Sequence, residues 1–262
     1  MFFTTNRQSP SIAKLALLVK RLSPFNKGDI VLDFLFPPSC PMCKTLSIEN
    51  GVLCAQCWTR FNWISDPKCS LCGYPFPANL DLGPRPLCPD CAGGKTVADF
   101  MRSACVYDDA SRDVMLPFKH AAALRYRNLM ARAMINSLSG APAFDMVMPV
   151  PLSFRRLFKR GYNQAALLAR PVAKHFSVPM DVDSVRRIHR ADMGHKNAKE
   201  RKANIRGVFR VARPGNVKGK TVLIVDDVMT TGATIFEMRR VLKRAGAKKV
   251  YAVVFCRVVR SI

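Results

Sequence analysis

Residues 222–234 constrain the fold more than any other part of the sequence. Four apolar residues from Val222 to Val225, three of them β-branched, are typical of a short strand buried in a parallel sheet. Asp226 and Asp227 follow directly, and a loop of small and hydroxyl residues, Thr230–Thr234, comes next. We therefore predict a buried strand that ends at two adjacent carboxylates and runs into a loop.

A helix is predicted to follow this loop, and Gly246 is suited to its C-terminal cap. Its apolar residues recur at helical spacing: Ile235, Met238, Val241, Leu242 and Ala245. The loop then lies at a helix N-terminus, where unpaired backbone N–H groups and the positive end of the helix dipole attract phosphate. The two acids would repel phosphate, so they need another ligand, and ribose hydroxyls or a hydrated Mg²⁺ are the candidates.

The order of strand, acid pair and Thr/Gly loop resembles the phosphoribosyl pyrophosphate (PRPP) signature of type I phosphoribosyltransferases. This resemblance implies that Asp226 and Asp227 are the catalytic acids and contact the ribose hydroxyls. It also implies that Mg²⁺ accompanies PRPP and that the 5-phosphate binds the loop, whose residues are Thr230, Thr231, Gly232, Ala233 and Thr234. The alternative is an ordinary strand-to-helix turn with two exposed acids.

Four Cys-x-x-Cys pairs indicate metal binding near the beginning of the chain. Two such pairs complete a closed Cys₄ zinc site, so we expect two structural zinc ions. Sequential pairing gives tandem zinc ribbons, and a cross-braced pairing fits the spacing too; buried or disulfide-bonded cysteines are the alternative. We expect chelation to unfold residues 40–91 alone. The predicted ligands are Cys40, Cys43, Cys54, Cys57, Cys69, Cys72, Cys88 and Cys91.

The formal net charge of +24 is unevenly distributed. The segment 101–262 contains 32 basic and 11 acidic residues, whereas the segment 31–100 contains five basic and six acidic residues. Such a field attracts polyanions, either a pyrophosphate-bearing substrate or a nucleic-acid backbone; a solvated surface is the alternative, although solubility needs a smaller excess. Without a recognisable signal peptide or a long apolar run, we expect a reduced, cytoplasmic protein with no membrane span. Cys105 and Cys256 are predicted to be buried.

Strands and helices alternate after about residue 100, which predicts a parallel α/β sheet with ligands at the carboxyl ends of its strands. The expected organisation is a helical or flexible basic lead-in (1–35), including a docking helix near 31–38, a double zinc ribbon (36–95) and a Rossmann-like phosphoribosyltransferase-like domain (100–262). We predict strands at 103–107, 146–150, 221–225 and 250–255, and helices at 125–138 and 165–176. A further helix is predicted to begin at residue 111 and to be interrupted at Pro117.

A basic segment, residues 155–213, contains sixteen basic and four acidic residues. Arg155, Arg156 and Arg160 are candidates to hold pyrophosphate or nucleic-acid phosphates, and the amides of Asn163 and Gln164 can hydrogen-bond oxygens or a base. The later part of the segment has a similar density of candidate ligands: Arg187, Arg190, His195, Lys196, Arg201, Asn204 and Arg206.

The order of these motifs resembles the ComF competence-protein family over roughly residues 31–260. The matching stretches are the cysteine pairs, residues 149–151, 156–157, 160–165 and 201–204, Phe209 and the acid pair. The resemblance implies a type I phosphoribosyltransferase-like fold, a role with single-stranded DNA in natural transformation, and DNA-uptake or recombination proteins as partners. His195 departs from the family, which more often has Gln there.

Two functional hypotheses follow. The chain binds PRPP with Mg²⁺ and single-stranded DNA during DNA uptake, or it is an active phosphoribosyltransferase of nucleotide metabolism with an unidentified acceptor base. A non-catalytic DNA-binding protein is the remaining alternative. Phe154 and Tyr162 could stack on bases, but packing in the core or on the surface is the role that we expect for each. The four histidines share no metal-ligand spacing.

Overall fold

The computed structural model describes residues 37–47, 49, 51–80, 82–120, 124–188 and 206–259. The expected lead-in over 1–35 and most of the docking helix near 31–38 lie outside the described residues. So do Arg190, His195, Lys196, Arg201 and Asn204, which the sequence offered as further ligands.

Short elements come first in the chain, and longer strands and helices follow from residue 100. The strands are β1 (Phe100–Val106), β2 (Met146–Pro149), β3 (Val185–Arg187), β4 (Phe209–Val211), β5 (Thr221–Met229) and β6 (Lys249–Arg257). The helices are α1 (Ala55–Trp58), α2 (Pro89–Ala92), α3 (Asp109–His120), α4 (Arg125–Ser137), α5 (Phe154–Arg160), α6 (Gln164–His175) and α7 (Ala233–Arg244), with one 3₁₀ turn, Pro214–Asn216.

Four strands form a parallel sheet in the order β1-β6-β5-β2. Side chains of β5 alternate between its faces, as a strand requires. Leu223 and Val225 belong to a buried cluster with α4 and α6, whereas Val222 and Ile224 belong to a second cluster with α7. Helices therefore cover both faces, which confirms the predicted parallel α/β architecture. The strands β3 and β4 form a separate antiparallel pair.

Several predicted element ends are wrong; β1, for example, begins at Phe100 rather than at residue 103. The strand β5 does not stop at Val225 but continues through the acid pair to Met229, because β6 supplies ladder partners that far, with Asp226 opposite Val254 and Met229 opposite Arg257. The helix α3 is not interrupted at Pro117 but runs on to His120. The carbonyl that loses its partner there belongs to Asp113, an exposed residue, where water can replace the missing hydrogen bond.

The zinc-ribbon region is bonded to the edge of the sheet. The N–H of Val106 donates to the carbonyl of Asn62 at 2.9 Å, and the N–H of Ile64 donates to Ala104 at 2.9 Å. The aromatic ring of Phe61 meets Phe255 edge to face, with 6.3 Å between centroids. These contacts join the ribbons to the core of the larger domain. That chelation unfolds residues 40–91 alone stays a prediction, and the contacts favour an effect on both parts.

None of the helices in the described ranges is long and apolar enough to cross a bilayer.

Candidate functional site

Two groups of four cysteines each bring their sulfurs within 4.8 Å of one another: Cys40, Cys43, Cys54 and Cys57, then Cys69, Cys72, Cys88 and Cys91. The Cys43 and Cys54 sulfurs are 3.5 Å apart and those of Cys72 and Cys88 are 3.6 Å apart. Zinc bonded to four thiolates at about 2.3 Å needs sulfurs about 3.8 Å apart. Both groups therefore fit zinc, and the pairing is sequential, which rules out the cross-braced alternative.

One cysteine of the first group, Cys43, favours the thiolate form even without a metal, whereas burial raises the pKa of the Cys57 thiol to about 12. Hydrogen bonds from the side chain and the backbone of Thr45 lower the pKa of the Cys43 thiol to about 6. A zinc ligand must be deprotonated, so this environment assists binding at neutral pH.

A buried arginine links the second group to the sheet. The Nη1 atom of Arg257 donates to the carbonyl of Cys72 at 2.7 Å and lies 3.9 Å from its sulfur. The guanidinium also lies over the ring of Tyr74, 5.2 Å from its centroid. Four thiolates on Zn²⁺ leave two negative charges, which a buried guanidinium offsets. Since Arg257 pairs with Met229 at the end of β5, the second ribbon is anchored beside the predicted phosphate loop.

An acid cleft of about 180 Å³ opens at the carboxyl ends of β2 and β5. It contains the acid pair and much of the predicted anion-binding set. Its polar lining residues are Lys119, Arg156, Arg160, Asn163, Gln164, Arg187, Asp226, Asp227 and Thr234. Parallel strands place residues that are far apart in sequence at one sheet edge, and this edge is where α/β folds bind ligands.

The two carboxylates of the cleft are in different environments. Asp227 is buried and its Oδ2 lies 3.3 Å from Nζ of Lys119, while its N–H donates to Oδ1 of Asp226 at 2.9 Å. Burial, and then the charge of Asp227, raise the pKa of Asp226 well above the usual range. Lys119 was missed by the sequence analysis, because nothing local distinguishes it from other lysines and only the fold brings α3 to the cleft.

Three arginines face the acids across the cleft. Arg156 and Arg160 come from α5, and Arg187 comes from β3, where its guanidinium lies over the ring of Phe209. Burial, and then the nearby charge of Arg156, lower the pKa of Arg187, while Asp226 opposes that shift. Positive charges this close together repel one another, and a bound anion would relieve that repulsion. Arg155, which the sequence grouped with them, is exposed and does not line the cleft.

The predicted amide ligands have structural partners in the protein. The side chain of Asn163 caps α6 by accepting from the N–H of Ala165 at 3.0 Å, and it donates to the carbonyl of Val150 at 3.0 Å. Gln164 donates to the carbonyl of Lys119 at 3.4 Å. Both amides therefore shape the cleft wall, and their contact with a ligand stays a prediction. The hydroxyl of Tyr162, a half-buried residue, donates to the carbonyl of Phe118 at 2.5 Å and so ties the ring to α3.

The predicted phosphate loop is divided between two cavities. Thr234 lines the acid cleft, whereas Thr231, Gly232 and Ala233 line a neighbouring cavity of about 690 Å³ that residues 94–97 close from the ribbon side. Gly232 has φ of +74° and precedes the first residue of α7. A Cβ atom there would lie 2.6 Å from Cγ1 of Val97, so both the backbone and the neighbour require glycine.

The two remaining cysteines are fully buried, as predicted, and face each other across β1 and β6. Burial raises the pKa of both the Cys105 and Cys256 thiols. They therefore behave as small apolar core residues. His175, the one histidine with a described side chain, is exposed.

Comparisons with known proteins agree with this arrangement. Residues 31–92 match the double zinc ribbon domain and residues 163–261 match the phosphoribosyl transferase domain. The chain is 38% identical to the DNA utilization protein YhgH of Salmonella typhi, over 52% of this chain and 60% of that protein. It is 30% identical to the protein of the same name from Escherichia coli K12, over 84% of this chain and 97% of that protein. It is 27% identical to competence protein F of Haemophilus influenzae, over 80% of this chain and 93% of that protein.

Among solved structures, the purine phosphoribosyltransferase from Pyrococcus horikoshii is 19% identical and has a TM-score of 0.34, covering 52% of this chain and 82% of that one. At that TM-score the likeness adds nothing to the assignment, which rests on the two domain matches and on the relatives. The chain therefore belongs to the family of the DNA utilization protein YhgH and competence protein F, and it combines a double zinc ribbon with a phosphoribosyltransferase domain.

Proposed function

We propose that the acid cleft binds PRPP, or a related phosphoribosyl ligand, together with Mg²⁺. One observation carries this proposal: two adjacent carboxylates, three arginines and Thr234, from the first turn of α7, line a single small cleft. Carboxylates alone would favour a cation and arginines alone an anion. Their combination suits a sugar phosphate whose hydroxyls need acceptors and whose phosphates need positive charge.

Each part of such a ligand has matching residues in this chain. Asp226 and Asp227 would accept hydrogen bonds from the ribose hydroxyls, and the loop Thr230–Thr234 would hold the 5-phosphate. Arg156 and Arg160 would hold the pyrophosphate group. Bound Mg²⁺ would neutralise charge on the pyrophosphate as it leaves. Transfer would break the bond between the anomeric carbon and a pyrophosphate oxygen, with pyrophosphate leaving with the electron pair, and would form a bond from that carbon to a nucleophilic atom of the acceptor base. The carboxylates would stabilise the positive charge that develops on the ribose.

Replacing Asp227 with alanine tests the proposal. We expect the affinity for PRPP with Mg²⁺ to fall roughly 100-fold, since a buried charged acceptor for the ribose hydroxyls is lost. Isothermal titration calorimetry measures the change. Asp183→Ala is the matched control, because Asp183 is an exposed acid whose ion pair is with Arg213 and it does not line the cleft. A wild-type protein that binds no PRPP would refute the proposal. Equal affinities of wild type and Asp227→Ala for PRPP would show that the acid pair does not contact this ligand.

A second candidate function is the binding of single-stranded DNA, in a role in DNA uptake. Two observations favour it: residues 101–262 have 32 basic residues against 11 acidic, and the relatives carry names that refer to DNA utilization and competence. The excess of positive charge is larger than one sugar phosphate requires. The two functions are compatible, because the end of a DNA strand is itself a phosphorylated sugar.

The salt dependence of DNA affinity tests this second candidate. Replacing Arg155, Arg156 and Arg160 with alanine should reduce the slope of log affinity against log salt by about 0.7 for each phosphate contact removed. The control is a triple alanine variant of Lys220, Lys248 and Lys249, which are exposed at the amino ends of β5 and β6, the opposite edge of the sheet. Fluorescence anisotropy over a salt series gives both slopes. If the arginine variant keeps the wild-type slope, α5 is not part of the DNA contact.

A further inference from the structure

Two aromatic side chains project from α5 into solvent. Phe154 is 74% exposed and Phe158 is 84% exposed. They lie one helical turn apart, with 6.4 Å between ring centroids and 26° between ring planes. Packing in the core or on the surface is the role expected for Phe154; the ring does not lie in the core, and its described ring contact is with Phe158, a ring even more exposed. Residues of this type are usually buried, so this pair of rings needs an explanation.

The charge around the two rings selects the kind of partner. Four of the seven residues of α5 are basic and none is acidic: Arg155, Arg156, Lys159 and Arg160 are the basic ones. A second copy of this chain docking face to face would oppose like charges at short range. A partner that carries many negative charges and has flat faces would match both the basic residues and the aromatic rings of this helix. Single-stranded nucleic acid has this chemistry, because every base has a flat face and every link has a phosphate.

The geometry is consistent with stacked bases. Bases follow one another about 3.4 Å apart along a strand, so the separation of the two centroids corresponds to roughly two base steps. The same helix turns Arg156 and Arg160 toward the acid cleft. A strand held on the rings is therefore next to the cleft, and its backbone can reach charges that the cleft already concentrates.

We propose that Phe154 and Phe158, here called the α5 platform, stack the bases of single-stranded DNA while the basic residues of the same helix hold its phosphates. This proposal rests on the second candidate function above and assigns a surface to it. It also separates the base contact from the acid cleft, so that PRPP binding does not depend on the two rings.

The test compares variants that keep or remove ring stacking. Replacing both phenylalanines with leucine retains apolar side chains and removes the aromatic faces. We expect the affinity for a labelled single-stranded oligonucleotide to fall about tenfold for each ring lost, with an unchanged salt slope and unchanged PRPP affinity. Replacing both with tyrosine should restore most of the DNA affinity. Phe236→Leu is the matched control, because Phe236 is 48% exposed but lies on α7.

An abasic oligonucleotide of equal length isolates the base contact. It keeps the phosphates and lacks the stacking faces, so wild type and the double leucine variant should bind it equally. The proposal is overturned if the leucine variant and wild type bind normal DNA with equal affinity. If that affinity also depends steeply on salt in wild type, the protein still binds DNA, but not through the two rings. Absence of any DNA binding by wild type refutes the second candidate function and the platform together. Loss of dimerisation, or of binding to anionic vesicles, in the leucine variant with DNA affinity unchanged would assign the rings to those partners instead.

Discussion

Removal of zinc is expected to lower the melting temperature of the whole protein rather than to unfold the ribbons alone. Structural zinc contributes about 10–16 kcal/mol of apparent binding free energy in small metal domains, which exceeds the typical total stability of a domain. The ribbons share hydrogen bonds with β1 and a buried cluster with β6. Their loss therefore removes contacts on which the sheet depends. Circular dichroism during heating, with and without a strong chelator, measures the shift.

Single substitutions distinguish the role of the metal from the loss of a thiol. Cys91→Ser breaks the second zinc site, whereas Cys256→Ala removes a buried sulfur outside both sites. We expect the former to destabilise the protein far more than the latter, which should cost about 0.5–3 kcal/mol. If chelation left the thermal transition of the larger domain unchanged, the ribbons would be an independent unit and the contacts with β1 would carry little energy.

Asp226→Asn is expected to stabilise the fold at neutral pH while it weakens ligand binding. Burial and the neighbouring Asp227 raise the pKa of Asp226. Its ionisation therefore costs more in the folded state than in the unfolded state. Stability falls as the pH rises from the ordinary range of an aspartate through this raised pKa, and the loss is complete above it. An amide cannot ionise, so the variant avoids this loss and should melt at a temperature a few degrees higher.

The pH dependence is the decisive measurement for this variant. Between acid and neutral pH, unfolding free energies of wild type should decline relative to those of Asp226→Asn, and the two should converge at low pH. PRPP affinity of the variant should fall at neutral pH, because the amide replaces one acceptor oxygen with an N–H donor that cannot accept a hydrogen bond from a ribose hydroxyl. Asp227→Asn serves as the comparison: it removes the ion pair with Lys119, so it should lack the gain in stability. A lower melting temperature for Asp226→Asn would show that ionised Asp226 stabilises the fold.

Local sequence signals predicted the parts of the site that depend on nearby residues. The two Cys₄ groups follow from paired spacing, and the succession of strand, acid pair, loop and α7 follows from hydrophobic pattern and glycine placement. The continuation of β5 to Met229 was not predictable in this way, because it depends on the length of β6. Lys119 reaches the acid cleft only through the packing of α3, and Val97 covers Gly232 only because the second ribbon docks on the sheet.

The exposed rings of α5 show a second limit of prediction from sequence. Hydrophobicity predicts burial, and no local pattern marks a phenylalanine that stays in solvent. What distinguishes this helix is the combination of its basic composition with its place at the mouth of the cleft. That combination becomes visible only when the fold shows that no described helix or strand covers the rings.

The antiparallel contact between residues 62–64 and β1 also bears on solubility. β1 is an outer strand of the sheet, and an uncovered outer strand offers free N–H and C=O groups to any other chain with a similar edge. The segment Asn62–Ile64 occupies part of that edge with ordered hydrogen bonds. A metal-depleted molecule would uncover a buried, largely apolar strand. The zinc ions would then protect the protein against aggregation as well as support its fold, and preparations made without zinc should precipitate before they unfold completely.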